Sequence, residues 1–96
     1  MQYTQKATGH FPTLKASAYL QQLCKHFAHK IAVTFDATSA QAALPTGPCI
    51  MAASDHSLRI SLAAATLEDM ERAKSIIDTH LERFAFREGF KTMDWE

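Results

Sequence analysis

The chain has 96 residues, ten basic and ten acidic, and a formal net charge of zero. That balance lacks the basic excess on which nucleic-acid binding relies, and 20 Leu, Ile, Val and Phe residues with 16 alanines exclude a disordered chain. The length is that of a single domain over 1–96 with a modest core, which leaves a homodimer sharing apolar surface as an open expectation.

The longest apolar run, Cys49 to Ala53, is far too short to span a bilayer. Met1 to Lys6 carry no apolar signal core, so the cytoplasm is the expected location. Cys24 and Cys49 do not make a disulfide framework and are expected as reduced, buried, small apolar side chains.

In chain order, Gln2 to Thr8 alternates loosely and predicts a first strand, with Gly9 and Pro12 breaking it. Thr13 is a candidate N-cap for a helix running to about Lys30, with the stripe Ala16, Leu20, Leu23, Phe27 on one face. Ile31 to Phe35 alternates with period two and reads as a strand. Asp36 to Pro48 is rich in Ala, Ser and Thr and reads as a loop with an edge strand near Ala42 to Leu44. Cys49 to Ser54 and Leu58 to Ala64 form a hairpin turning at Asp55-His56, with Leu58, Ile60 and Leu62 on one face.

Thr66-Leu67-Glu68-Asp69 resembles a capping box with Asp in the reciprocal position. The helix after it carries Met70, Ala73, Ile77, Leu81 and Phe84 on one face and ends near Gly89. Phe90 to Trp95 is a final strand candidate. Two helices with one apolar face each need one surface to cover. The expected fold is therefore α+β: an antiparallel or mixed sheet of four to five strands, both helices on one face, as a ferredoxin-like variant.

Three of the five histidines lie in the two helices, as His26, His29 and His80. At about 100° per residue, Cys24 and His26 lie roughly 160° apart around the helix, so the Cys-x-His-x-x-His string is no single ligand set. His26 and His29 are about 60° apart and can share an ion, but nothing supplies the four ligands of a structural zinc site. The sequence implies no metal and no cofactor: the glycines are scattered at 9, 47 and 89, and no phosphate loop is present.

Another grouping passes the same geometric test. Tyr19, Gln22, His26 and Lys30 flank the first stripe; Ile76, His80, Arg83 and Arg87 flank the second on the same rotational side. If those flanks meet, His26, His80, Tyr19 and Arg83 form a polar cluster suited to an anion, a carboxylate ligand or a metal. If they face away, Ser17, Cys24, Ala28 and Ala85 make the seam, with small residues permitting close approach. The bland alternatives are packed helix-border histidines at 26 and 80 and solvated His29 and Lys25. His10 and His56 are then incidental, and Arg83 and Arg87 pair with Glu82, Glu88 or Glu71.

Leu23-Cys24-Lys25-His26-Phe27-Ala28-His29-Lys30, Cys49, His80-Leu81-x-Arg83-Phe84-Ala85-x-Arg87-Glu88 and a late Trp resemble a small bacterial family of unknown function, over nearly the whole chain. The Ala-rich stretch before Cys49 stands where that family has a Gly-containing strand. The resemblance implies a link to iron handling, since some relatives occur beside siderophore-uptake proteins. Some members carry the label 2,4-dihydroxyhept-2-ene-1,7-dioate aldolase; such an aldolase implies a metal-holding barrel of about 250 residues, which this chain is too short to build.

Three functional readings stand open. The first is a small-ligand-binding or accessory domain with a polar site of His26, His80, Tyr19 and Arg83. The second is a structural or interaction module, and the third an enzyme with a histidine general base.

Overall fold

A computed structural model describes residues 3–96. Its strands are β1 (Gln5–Pro12), β2 (Val33–Phe35), β3 (Ser39–Leu44), β4 (Gly47–Ala53), β5 (Ser57–Ala64) and β6 (Asp94–Trp95). Helix α1 (Ala16–Phe27) follows β1, and α2 (Leu67–Ala85) lies between β5 and β6, continued by a 3-10 turn at Phe86–Glu88. The strands make one sheet in the order β2-β3-β4-β5-β1-β6, with every neighbouring pair antiparallel. The α+β class with two helices agrees with expectation. The count of six strands exceeds the four to five expected, and a four-strand meander stands where the ferredoxin-like motif has a single hairpin.

Alternation decides which face is covered. Ala7, Gly9 and Phe11 of β1 are buried, as are Leu58, Ile60, Leu62 and Ala64 of β5 and Cys49 and Met51 of β4. The helices bring Leu20, Leu23, Cys24 and Phe27 from α1 and Met70, Ala73, Ile77 and Leu81 from α2 onto that face. Burying each large aliphatic side chain there stabilises the fold by roughly 1.5–3 kcal/mol.

Several boundaries differ from the sequence reading, and the clearest have local reasons. β3 is a full strand rather than a short edge within a loop, because Ala40, Ala42 and Leu44 alternate inward between exposed Ser39, Gln41 and Ala43. Asp36 sets its start: Oδ1 accepts from the backbone N–H groups of Thr38 and Ser39, each at 2.8 Å, which makes a tight turn. Those bonds hold the Asp36 carboxyl below the usual range.

β1 continues through Gly9 to Pro12. Gln2, where the expected strand began, lies outside the described residues. Gly9 is needed there because a Cβ would sit 2.8 Å from the Trp95 ring and 2.9 Å from Met93 Sδ. Thr13 is not the N-cap of α1; its Oγ1 accepts from the Lys15 N–H (3.1 Å) just before the helix starts. Helix α1 stops at Phe27, three residues before Lys30, where Lys30 and Ile31 both donate to the Phe27 carbonyl.

α2 begins as its sequence indicates, with Thr66 Oγ1 accepting from the Asp69 N–H at 3.0 Å. The reciprocal half of the box is replaced by an Asp69–Arg72 ion pair at 3.2 Å. Gly89 takes the left-handed conformation (φ 74) after the 3-10 turn. Beyond it only Asp94 and Trp95 pair as a strand; Phe90 packs on Phe11 with ring centroids 4.7 Å apart. Asp78 of α2 ties this segment down, accepting from Thr92 Oγ1 (2.6 Å), the Met93 N–H (2.9 Å) and Trp95 Nε1 (3.0 Å).

Replacing Asp78 with Ala leaves those donors without their acceptor and is expected to cost about 1–3 kcal/mol. The check is urea unfolding followed by tryptophan emission, and a red-shifted native spectrum reports release of Trp95. Gly9→Ala forces a Cβ into the Trp95 ring and is expected to destabilise by about 1–3 kcal/mol in the same assay.

Candidate functional site

Both helices cover the same sheet face and contact each other along one seam. Their order along that seam is antiparallel: the start of α1 meets the end of α2, and the end of α1 meets the middle of α2. Tyr19 therefore lies beside Glu88, and His26 beside His80. Of the two seams open on sequence grounds, the histidine flanks are the ones that meet. Cys24 turns down to the sheet, and Ser17 on the far flank donates its hydroxyl to the Ala37 carbonyl at 2.6 Å.

The imidazole rings of His26 and His80 lie 4.9 Å apart by centroid, tilted by 54°. Phe27 stands edge-on to His80 at 5.1 Å, and Phe84 edge-on to His26 at 6.4 Å. His80 is half-buried, and its Nδ1 lies 2.7 Å from the Ile76 carbonyl one turn back. A carbonyl only accepts, so Nδ1 carries a proton and Nε2 is the nitrogen left for other partners. His26 is exposed, so its ring nitrogens are open to a ligand from solvent.

The electrostatics of His26 follow from its neighbours. Partial desolvation comes first, then the charges of His80, Arg83, His29 and Lys30, and all five push its pKa below the ordinary histidine value. No carboxylate acts on the ring in the opposite sense. Arg83 and Arg87 do not form the ion pairs expected of them. Glu82 faces Lys91 at 3.6 Å, Glu71 faces Lys74 at 3.4 Å, and Glu88 accepts from Thr13 Oγ1 at 3.0 Å. Among the described residues, Arg83, Arg87, Lys25 and Lys30 have no acidic partner.

Tyr19, placed with the histidines by helical spacing, belongs to a different cluster. It is buried, stacked on Phe11 at 6.0 Å, and its hydroxyl donates to Glu88. Burial, then the Glu88 hydrogen bond and charge, push its pKa up to about 12. Seven residues of helix put it about 10 Å along the axis from His26, so it braces the seam from one end rather than joining the histidine pair. Helical spacing gave the shared flank but held no record of Glu88, which reaches Tyr19 only through the 3-10 turn after α2.

The cysteines are free and buried, and burial pushes Cys24 up to about 11 and Cys49 up to about 12. Such thiols are poor nucleophiles and poor metal ligands. Among the described residues, no group of three or more His, Cys, Asp and Glu side chains is placed to hold a metal ion. Among the described residues, no helix is long and apolar enough to cross a membrane.

The family model described as "Uncharacterized protein conserved in bacteria (DUF2218)" matches residues 8–96, and the chain belongs to that family. The fold is shared with the NMR structure of PA4090 from Pseudomonas aeruginosa. That match has a TM-score of 0.78 at 22% identity and covers 99% of this chain and 96% of that one. No curated protein matches the chain.

His26 gives the site a pH signature. Its folded pKa is lowered, so the unfolded chain protonates first as the solution is acidified. Stability is therefore expected to be full above the ordinary histidine value of about 6.5 and to fall as the pH drops from there toward the lower folded pKa. His26→Gln is expected to make that acid-side decline shallower without changing stability near pH 8. Urea midpoints measured from pH 5 to pH 8 check this.

Proposed function

We propose that this family member is a small-ligand-binding or accessory domain whose site is the solvent-facing side of the His26–His80 pair, on the flank of α2 that carries Arg83. The observation that carries this reading is the 4.9 Å meeting of the two rings at the helix seam, with His26 open to solvent. The rings are held rather than loose: the Ile76 carbonyl fixes His80, and the edges of Phe27 and Phe84 fix the tilt of the pair. Tyr19 serves the pair indirectly, by clamping α1 to the turn that ends α2.

The resemblance to relatives found beside siderophore-uptake proteins gives that ligand an iron-handling context. Two buried free thiols fit a reducing cytoplasm. A catalytic version would use the lone pair of His26 as a general base.

A second reading, an interaction module that forms a homodimer, draws on the uncovered sheet face. Ile50 is 55% exposed there, opposite Gln41 on β3 and Ser61 on β5. Sedimentation of the wild type and of the Ile50→Lys variant separates the two readings. A monomer in both leaves the ligand reading; a wild-type dimer that the substitution breaks supports the module.

The direct test follows the histidine ring resonances while small carboxylates, phosphate and zinc are titrated in turn. At least one is expected to shift His26 and His80 together and saturably. His26→Gln, with an unchanged backbone spectrum, is expected to lose that response. Rings that ignore every probe would remove the ligand reading.

A further inference from the structure

We infer that a second copy of this chain adds itself to the β2 edge of the sheet, pairing β2 with β2 antiparallel across a twofold axis at Thr34. This contact is separate from the histidine pair and from the sheet face that carries Ile50.

The register of the sheet decides which backbone groups β2 leaves free. In an antiparallel ladder, hydrogen-bonded pairs of residues alternate with pairs that make no bond. Val33 faces Ala42, Thr34 faces Gln41 and Phe35 faces Ala40. The flanking bonds set the phase: the Ala43 N–H donates to the Ala32 carbonyl at 3.0 Å, and the Asp36 N–H to the Ser39 carbonyl at 2.9 Å. Thr34 lies two residues from both Ala32 and Asp36, so Thr34–Gln41 is the bonded pair between them. The N–H and C=O groups of Val33 and Phe35 therefore point away from β3. Among the described residues, none of these four groups has a partner.

Those groups are complementary to their own copies. Turning a second β2 about an axis at Thr34 sets Val33 opposite Phe35 of the other copy, twice, and closes four backbone hydrogen bonds. The ladder stops there, because the next groups are occupied. The Ile31 N–H donates to the Phe27 carbonyl, and the Ala37 carbonyl accepts from Ser17 Oγ.

The side chains suit that register. Phe35, 38% exposed, comes beside the half-buried Val33 of the other copy, an aromatic ring against a β-branched residue. Exposed Thr34 meets its own copy on the opposite face, in the closer, unbonded kind of pair. Antiparallel pairing also lays the Lys30 end of each strand beside the Asp36 end of the other. Lys30 has no acidic partner in its own chain among the described residues. The far edge of the sheet is guarded: β6 pairs through two residues only, and Asp94 and Glu96 put charge on it. Val33-Thr34-Phe35 carries neither charge nor proline. Its one safeguard is a length of three residues, which holds the association to a weak one.

Sedimentation velocity of the full chain, from about 10 to 1,000 μM, is expected to show a reversible dimer with a Kd of roughly 10–100 μM. Over the same range, amide exchange at Val33 and Phe35 is expected to slow about tenfold once nine-tenths of the chains are paired. The Thr34 amide, bonded to Gln41 in either state, is expected to stay constant. Thr34→Lys sets like charges face to face and is expected to weaken association about tenfold, as is Thr34→Glu. An equal mixture of the two variants is expected to associate at least as tightly as the wild type. Ile50→Lys is expected to leave this dimer intact. A chain that stays monomeric, with fast exchange at Val33 and Phe35 at the highest concentration, overturns the inference. So does a dimer that Thr34→Lys leaves intact, or one that Ile50→Lys alone breaks, which places the contact on the sheet face. The histidine-ring titration reads the ligand site independently of all these outcomes.

Discussion

Two helices have to cover one face of a six-stranded antiparallel sheet, and most of the molecule follows from that requirement. The inward-facing residues of β1, β4 and β5 form a continuous apolar surface wider than one helix. A helix is about 10 Å across, so α1 and α2 must lie side by side to close it. Their stripes are consumed by the sheet: Leu20 and Leu23 from one, Ile77 and Leu81 from the other, all fully buried. The flanks beside those stripes then face each other above the core. Whatever stands there is held by two rigid elements at once, which is how His26 and His80 come to share a fixed geometry.

Much of this was legible in the residues, and the exceptions are instructive. Leu58, Ile60 and Leu62 announce β5 because large side chains alternate with polar ones. The stripe from Met70 to Leu81 announces α2 for the corresponding helical reason. β3 alternates just as strictly, yet its inward residues include Ala40 and Ala42, whose small apolar area and low strand preference make the period faint. Gly9 looked like a break because a glycine more often ends a strand than serves as clearance for a tryptophan near the far end of the chain. The site was legible as a pair of flanks, since spacing around a helix is a local property. Which flanks met was not, because that depends on the direction in which α2 crosses the sheet.

Net neutrality conceals an uneven distribution of charge. The acids are largely engaged: Asp78 with the C-terminal segment, Glu88 with Tyr19 and Thr13, Asp36 with its own turn, and Asp69, Glu71 and Glu82 in ion pairs. Among the described residues, the bases around the helix seam have no acidic partner. A chain with equal numbers of each sign can therefore present a local positive field, which is the property a binding site feels and a pI near 7.0 does not report.

The clearance at Gly9 also bears on how the chain reaches this state. β2 to β5 form a meander of short connections and can assemble from neighbouring segments, whereas β6 joins β1 from almost the opposite end of the sequence. Contacts of that span close late, because the entropy of loop closure is lost before they form. Without Trp95 the clearance over Gly9 is unfilled and the middle of β1 is an unpaired sheet edge, the kind of surface on which partly folded chains associate. The indole is thus a plug as well as a strand residue: it fills the clearance over Gly9 at the point where β6 pairs with Gly9 and His10.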